Sequence, residues 1–260
     1  MEELLERLIE ECRPVVKQGR VADYIPELAK GDPEALGIYI IGSEGKPFDA
    51  INSSDQSLDS GNINPLVTMG AIVMCSLIHG RSYDERFQRL LELTRRLAGD
   101  YEIDVDEAVY CSEKSHGSKN RALAYLLKSH NLLDGDVEEV LDCYFRACSI
   151  QVDCRALAHI GAVLSNRGRL PVSNERIFPA PMSRYVNAIL MTCGMYDGSG
   201  EFALRVGVPA KSGVGGGIMA VVPTRMGIGI FGPALDRKGN SVAGIKLLER
   251  LSKELHLSIF

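Results

Sequence analysis

The sequence predicts an α+β fold in which helices and a helical lobe flank one antiparallel sheet assembled from both ends of the chain. A short apolar run near the N-terminus, a glycine turn and a returning stretch indicate a β-hairpin over 36–50. Glycine-punctuated apolar stretches after Arg205 indicate further strands, and helical periodicity dominates the residues between. Because strands and helices do not alternate along the chain, the pattern disfavours a doubly wound parallel sheet.

The N-terminal segment predicts one helix followed by the hairpin. Residues 2–18 place apolar side chains at helical spacing, and Gly19 is a typical helix end. The hairpin strands are predicted over 36–42 and 46–50. The stretch 51–64 is rich in Ser, Asn and Asp, which predicts a loop.

The middle of the chain is predicted to be helical throughout. Residues 66–79 are apolar nearly all round, which predicts a buried helix. Ser82 and Glu85 have the spacing of a capping box, and the helix they open is expected to end near Leu97, before Gly99. Five further helices are predicted over 104–113, 118–130, 135–149, 153–166 and 183–193.

The C-terminal segment returns to β structure. Strands are predicted over 206–211, 217–223 and 226–231, and one amphipathic helix follows Gly239. The three glycines Gly215 to Gly217 predict that the backbone comes close to another group, and their N–H groups could stabilise an oxyanion.

The chain is interpreted as a single domain over 1–260. Residues 1–65 and 196–260 are expected to form its α/β lobe, and residues 66–195 its helical lobe.

Composition and charge exclude several classes of function. The net charge of the 260 residues is −5, with no basic block, so a nucleic-acid partner is not expected. No apolar run reaches transmembrane length and the N-terminus is acidic, which favours a cytoplasmic protein without membrane contact. The seven cysteines include no CxxC pair, so we expect reduced thiols and no metal site.

A candidate substrate wall lies between Tyr196 and Gly213. Lys211 and Ser212 place a cation and a hydroxyl beside glycine backbone, and Tyr196 adds a phenol. These groups are typical of the wall that faces the nucleophile in a serine-acylating hydrolase. The alternative is a strand that ends in a glycine bend.

Glu113 and Asn120 form a second candidate pair. They are two helical turns apart, but Gly117 predicts a break, so two helix ends are expected to face one pocket. A carboxylate and a carboxamide could bind the ammonium and carboxylate groups of an amino acid. The alternative is a helix cap and a solvated glutamate. Tyr144 lies on an apolar helix, where a core tyrosine is the default.

Several longer motifs occur in a fixed order along the chain. They are GRVADYIPELA (19–29), Asn64-Pro65, MTCGMYDGSGEF (191–202), PAKSGV (209–214), GIFGPALD (229–236), Gly239-Asn240-Ser241 and KLLERLS (246–252). Together they resemble the serine-dependent glutaminases of the β-lactamase/transpeptidase-like fold. This resemblance implies hydrolysis of L-glutamine to L-glutamate and ammonia through a serine acyl-enzyme, with no metal or organic cofactor.

The resemblance also implies roles for individual residues. Tyr24, Tyr196 and Lys211 take catalytic positions, with Tyr24 beside the nucleophile. The substrate-binding positions fall on Thr68, Glu113, Asn120, Tyr144, Tyr196, Ser212 and Val214. Thr68 stands where the family carries an asparagine. The family further implies a homodimer or homotetramer, with which a leucine-rich exposed face on the last helix is compatible.

One family segment is not found in the chain. The family carries its nucleophile in a Ser-x-x-Lys motif on a buried helix after the first two strands, whereas this chain passes from 48–50 directly into 51–53. We therefore expect an internal deletion of a few dozen residues. The remaining Ser-x-x-Lys, Ser43 to Lys46, is predicted to lie in the hairpin turn and to be coincidental. The alternative function is a catalytically inactive glutamine- or glutamate-binding or oligomerising paralogue.

Overall fold

The structure, a computed structural model, describes the backbone of residues 1–51 and 68–260 and the side chains of 1–47 and 68–260. The predicted loop after Ile51 and the Asn64-Pro65 motif lie outside the described residues. The helices in the described part are α1 (Glu2–Cys12), α2 (Thr68–Leu77), α3 (Tyr83–Ala98), α4 (Glu107–His116), α5 (Ser118–Ser129), α6 (Val137–Cys148), α7 (Cys154–Ser165), α8 (Ala180–Cys193), α9 (Ser199–Arg205) and α10 (Val242–Leu255). The strands there are β1 (Gly37–Gly42), β2 (Pro47–Ile51), β3 (Ala210–Ser212), β4 (Gly217–Val222) and β5 (Met226–Phe231).

The five strands form one antiparallel sheet in the order β2-β1-β5-β4-β3. The N-terminal hairpin therefore pairs with C-terminal strands, which confirms the predicted α+β architecture. Phe231 pairs with both Gly37 and Gly217 at one end of the sheet, and Met226 pairs with both Gly42 and Val222 at the other.

The two faces of the sheet pack against different helices. Ile228 and Ile230 of β5 join the core cluster that contains residues of α1 and α10. Gly227 and Gly229 point to the other face, because side chains alternate along a strand. A Cβ atom at either glycine would collide with the backbone of α7, so α7 lies directly on the sheet. The boundaries of the two lobes stay a prediction.

The leucines of the last helix do not form the exposed face that the sequence suggested. Leu247, Leu248 and Leu251 of α10 are buried in the same core cluster. This prediction was wrong because the leucine-rich face of α10 packs against the sheet and α1. An exposed apolar stripe occurs instead on α8, at the helical spacing of Met182, Tyr185, Val186 and Ile189.

Two other predictions needed correction. Helix α2 is not buried all round, because Met74 and Leu77 are exposed while Ile72 and Cys75 face the core. The strand predicted over 206–211 is shorter in the structure, where only β3 pairs in the sheet and α9 precedes it. Val206 donates its N–H to the Phe202 carbonyl and so closes a helical turn instead of joining the sheet.

The predicted helix boundaries of α3 are confirmed by their capping contacts. The Ser82 hydroxyl accepts a hydrogen bond from the Glu85 N–H at 3.1 Å, and Gly99 ends the helix at a φ of +67°. The predicted break between α4 and α5 at Gly117 is also confirmed.

No helix in residues 1–51 and 68–260 is long and apolar enough to cross a bilayer. In the same residues, no group of three or more His, Cys, Asp or Glu side chains could hold a metal ion. All seven cysteines are free thiols.

Candidate active site

Five of the predicted site residues lie close together near the end of the sheet where β3 stops and β4 starts. Cys148, the last residue of α6, lies at their centre. Its thiol is buried and has the Tyr144 hydroxyl as a hydrogen-bonding neighbour, and Glu113, Lys211, Tyr24 and Tyr196 lie within electrostatic range of it. We call these six residues the site cluster. The site cluster brings together α4, α6, β3 and two connecting segments.

Lys211 is the buried cation of the site cluster. It is 7% exposed, and its ammonium donates a hydrogen bond to the Ser212 carbonyl. Its Nζ lies 4.4 Å from the centre of the Tyr196 ring. Burial lowers the pKa of Lys211 to about 8, so the neutral amine is accessible near physiological pH. A lysine in this state can accept and return a proton.

Tyr196 presents its ring to Lys211 from a left-handed backbone conformation. Its φ is +50°, which is uncommon for a residue other than glycine. Burial raises the pKa of its phenol to about 12, so the hydroxyl remains a hydrogen-bond donor at neutral pH. Gly194, two residues earlier, allows β3 to pass close by, and its carbonyl accepts the Ser212 N–H at 3.1 Å.

Glu113 and Asn120 lie on two helix ends that meet at Gly117, as predicted. Glu113 is in the last turns of α4 and Asn120 is in the first turn of α5. A Cβ atom at Gly117 would lie 2.5 Å from Cζ of Phe145, so this tight junction requires glycine. Glu113 is 6% exposed, and its burial raises its pKa to about 7. The alternative of a solvated glutamate is therefore wrong, whereas Asn120 is half-buried.

Tyr144 connects the site cluster to α2. The residue is buried, as a core tyrosine would be, and desolvation raises the pKa of its phenol well above the ordinary range. The hydroxyl has the side chains of Cys148 and Thr68 as hydrogen-bonding neighbours. Cys148 was missed by the sequence analysis, although its spacing of four residues from Tyr144 puts both on one face of a helix.

Ser212 and Val214 complete the wall behind the site cluster. Ser212 is fully buried, and its hydroxyl has no hydrogen-bond partner among the described residues. Such a group requires a partner that this part of the chain does not supply. Val214 is half-buried and packs on a small apolar cluster that includes Ala22 and Ile25.

Tyr24 lies between Ala22 and Ile25 in the sequence and reaches the site from the solvent side. Its side chain is 58% exposed. Desolvation of the hydroxyl, together with the nearby Glu113 and Tyr196, raises its pKa above the ordinary range.

The predicted close approach of the glycine segment is confirmed at Gly216. Its φ is +99°, and a Cβ atom there would lie 2.5 Å from Cα of Pro233. The group approached is therefore the backbone at Pro233.

The motif Ser43 to Lys46 lies at the opposite end of the sheet. The Ser43 N–H donates to the Arg225 carbonyl at 2.8 Å in the turn between β1 and β2, as predicted. Ser212, by contrast, lies in the same row across the sheet as Ile38. Ser212 pairs with Ile218 of β4, Ile218 pairs with Ile230 of β5, and Ile230 pairs with Ile38. Gly42 is four residue steps further along β1 than Ile38, which corresponds to about 13 Å. Ser43 cannot attack a substrate held at the site cluster.

Comparisons with known proteins agree with this fold. The family model described as Glutaminase matches residues 43–260. The chain is 46% identical to a glutaminase of Clostridium tetani over 305 aligned positions, which cover 100% of both chains.

Among solved structures, the chain is similar to a Bacillus subtilis glutaminase in covalent complex with 5-oxo-L-norleucine, with a TM-score of 0.95 and 34% identity over 100% of this chain and 99% of the other. It is also similar to Mglu in its glutamate form, with a TM-score of 0.95 and 30% identity over 100% of this chain and 69% of the other. The family match covers most of the chain, and the relatives match it from end to end. This chain therefore belongs to the glutaminase family.

Proposed function

We propose that the site cluster performs the substrate binding and proton transfer of glutamine hydrolysis, in which L-glutamine and water give L-glutamate and ammonia. The observation that carries this proposal is the convergence of five predicted site residues on Cys148. A buried carboxyl and a buried lysine of lowered pKa lie within this one group. The covalent 5-oxo-L-norleucine complex of the Bacillus subtilis protein and the glutamate form of Mglu support the substrate class.

Each proposed role follows from the chemistry of the side chain. The Glu113 carboxylate binds the substrate ammonium, and the Asn120 carboxamide binds its carboxylate. Lys211 transfers the proton, assisted by the phenols of Tyr24 and Tyr196. The other substrate-binding positions are Thr68, Tyr144, Ser212 and Val214. No cofactor takes part in the proposed reaction.

We further propose that the chain has lost the segment with the nucleophile. The alignment to the Clostridium tetani protein spans 305 positions, whereas this chain has 260 residues. The one Ser-x-x-Lys motif in the sequence is Ser43 to Lys46, far from the site cluster. These observations favour a second candidate function, which is binding of L-glutamine or L-glutamate without hydrolysis.

One experiment separates the two functions. The intact mass of the purified chain is first checked against 28.4 kDa, and ammonia release from L-glutamine is then measured for the wild type, Tyr196→Phe and Lys211→Met. Turnover that both substitutions abolish supports hydrolysis, and Ser57 and Ser212 are then replaced to find the nucleophile, with Ser43 replaced as the negative control. Unchanged turnover in both variants refutes the proposed roles.

The inactive-binder function has its own outcome. It predicts no ammonia release from the folded chain, together with a higher melting temperature in millimolar L-glutamate. If the folded chain neither releases ammonia nor responds to L-glutamine or L-glutamate, both proposed functions are wrong.

We also propose a homodimer or homotetramer located in the cytoplasm. The exposed stripe of Met182, Tyr185, Val186 and Ile189 on α8 supports self-association. The seven free cysteines support a reducing compartment. Light scattering coupled to size exclusion tests the assembly, and a monomer at micromolar concentration refutes it.

A further inference from the structure

Tyr196 has a backbone conformation that a bulky residue rarely adopts without support. Its φ of +50° lies in the left-handed region, which glycine adopts without strain but a tyrosine does not. Conformations of this kind persist only where the surrounding contacts hold them. In the described structure those contacts come from two buried polar side chains, Ser199 and Asn240.

Ser199 connects the peptide groups on both sides of the Met195–Tyr196 pair. Its hydroxyl accepts a hydrogen bond from the Met195 N–H at 3.0 Å. The same hydroxyl donates to the Tyr196 carbonyl at 2.8 Å. Because Ser199 is itself buried at the start of α9, it cannot move away without disturbing the helix. One hydroxyl thus restrains the backbone before and after Tyr196.

Asn240 anchors the peptide group between Met195 and Tyr196. Its Nδ2 donates to the Met195 carbonyl at 3.2 Å. Asn240 is 1% exposed, and its own N–H donates to Oδ1 of Asp236 at 3.0 Å, which fixes the turn that carries it. If the carboxamide rotated, its oxygen would face the Met195 carbonyl, so the orientation with Nδ2 toward Met195 is the favourable one.

The same turn also touches the tyrosine ring. A Cβ atom at Gly239, whose φ is +87°, would lie 3.6 Å from Cε2 of Tyr196 and 3.6 Å from Cγ1 of Val214. The Gly239 turn therefore lies beside the edge of the ring, and Lys211 lies at its face. Two separate sequence motifs, around Tyr196 and around Asn240, form one structural unit.

We propose that Ser199 and Asn240 are positioning residues that hold Tyr196 in its left-handed conformation and so keep its ring on Lys211 and its hydroxyl in the substrate site. They act through the backbone of Met195 and Tyr196. The expected effect of Ser199 and Asn240 on substrate binding rests on the proposed function, whereas their effect on Lys211 does not depend on it.

The test uses Ser199→Ala and Asn240→Asp, with Ser165→Ala as the matched control. Ser165 is a buried serine whose hydroxyl also bonds a backbone carbonyl, that of Val222 at 2.7 Å, but at the far end of the sheet. The affinity for L-glutamate is measured by calorimetry. The midpoint of Lys211 acetylation against pH is measured by competitive labelling and peptide mass spectrometry. Circular dichroism shows which variants fold.

Both test variants are expected to weaken L-glutamate binding by about tenfold, from the loss of one or two hydrogen bonds at the backbone. They should also move the labelling midpoint of Lys211 upward from about 8, because a displaced ring admits water to the ammonium. Ser165→Ala should change neither quantity. Wild-type values of both quantities in folded Ser199→Ala or Asn240→Asp would overturn the proposal.

A double-variant cycle separates positioning from general destabilisation. In a Tyr196→Ala background, Ser199→Ala should cause no further change in the Lys211 midpoint or in affinity, because the ring that it positions is gone. A full additional loss would overturn the proposal. If the wild type does not bind L-glutamate but the Lys211 midpoint still shifts in Ser199→Ala, the positioning role is supported and the proposed function fails.

Discussion

Replacing Glu113 by glutamine should stabilise the free protein by an amount that grows as pH rises from about 4.5 to about 7 and stays at its full value above that. Glu113 is almost fully buried, and burial raises its pKa from 4.5 to about 7. The folded state therefore keeps a proton on this carboxyl up to about pH 7, while the unfolded chain loses it near pH 4.5. Stability consequently falls as pH rises between these values and stays reduced above them.

The magnitude follows from the two pKa values. Each pH unit of difference corresponds to roughly 1.4 kcal/mol, so the full cost of the ionised Glu113 is about 3 kcal/mol. Glutamine has nearly the same shape and no ionisation, so Glu113→Gln avoids this cost. The expected gain is about 3 kcal/mol at pH 8.5 and less than about 0.5 kcal/mol at pH 4.5. For a domain of this size the gain at pH 8.5 corresponds to roughly 6–12 °C in melting temperature.

Urea unfolding of ligand-free protein at pH 4.5 and pH 8.5 measures both values. Glu92→Gln is the control, since Glu92 is an exposed glutamate on α3 and its replacement should change stability by no more than about 0.5 kcal/mol at either pH. A Glu113→Gln variant that gains no more stability at pH 8.5 than at pH 4.5 would refute the argument. The pair of results would show that the ionised carboxylate of Glu113 is kept at a cost in stability.

Three further predictions concern the same region. Affinity for L-glutamate should rise about tenfold from pH 6 to pH 8 as Glu113 ionises, and calorimetry on Glu113→Gln should show no such rise. The unfolded chain protonates Lys211 near pH 10.5, whereas the folded protein does so only near its lowered pKa of about 8. As pH falls from 10.5 to 7, Lys211→Met should therefore gain about 3 kcal/mol in urea stability relative to the wild type. A stability difference that does not change with pH would contradict this. Gly117→Ala should destabilise by about 1–3 kcal/mol through contact with Phe145. Its control, Gly70→Ala in α2, places the new Cβ within 4 Å of no atom of the described residues and should stabilise by about 0.5–1 kcal/mol.

Local signals account for the elements that were predicted well. The ends of α3 follow from Ser82 and Gly99, whose hydrogen bonds are made within a few residues of the chain. The hairpin turn follows from Gly45, with a φ of +82°. The strand β3 was predicted too long because a strand needs a partner. Pairing with β4 begins at Ala210, opposite Ala220, so the valines before it are buried without joining the sheet.

The candidate site was predicted in its residue types and missed in its centre. The motifs identified Tyr196 and Lys211, and the spacing of Glu113 and Asn120 identified Glu113. The position of Cys148 four residues after Tyr144 shows only that both lie on one helix face and does not by itself mark a site. Its surroundings depend on tertiary packing, because Glu113 and Lys211, which both act electrostatically on its thiol, are distant in the chain. The bond from Asn240 to the Met195 carbonyl arises in the same way, across 45 residues, whereas the Ser199 bonds to Met195 and Tyr196 are local, across four and three residues.

The sequence by itself determined the fold class, most helix boundaries, the family resemblance and the residue types of the site. These depend on periodicity, capping and motif order, which act over short stretches of chain. Only the tertiary structure decided which residues meet, that Ser43 lies far from Ser212, and that Glu113 and Lys211 change their pKa values to about 7 and about 8. The physical reason is that desolvation is collective, because a side chain loses water only when several distant segments pack around it.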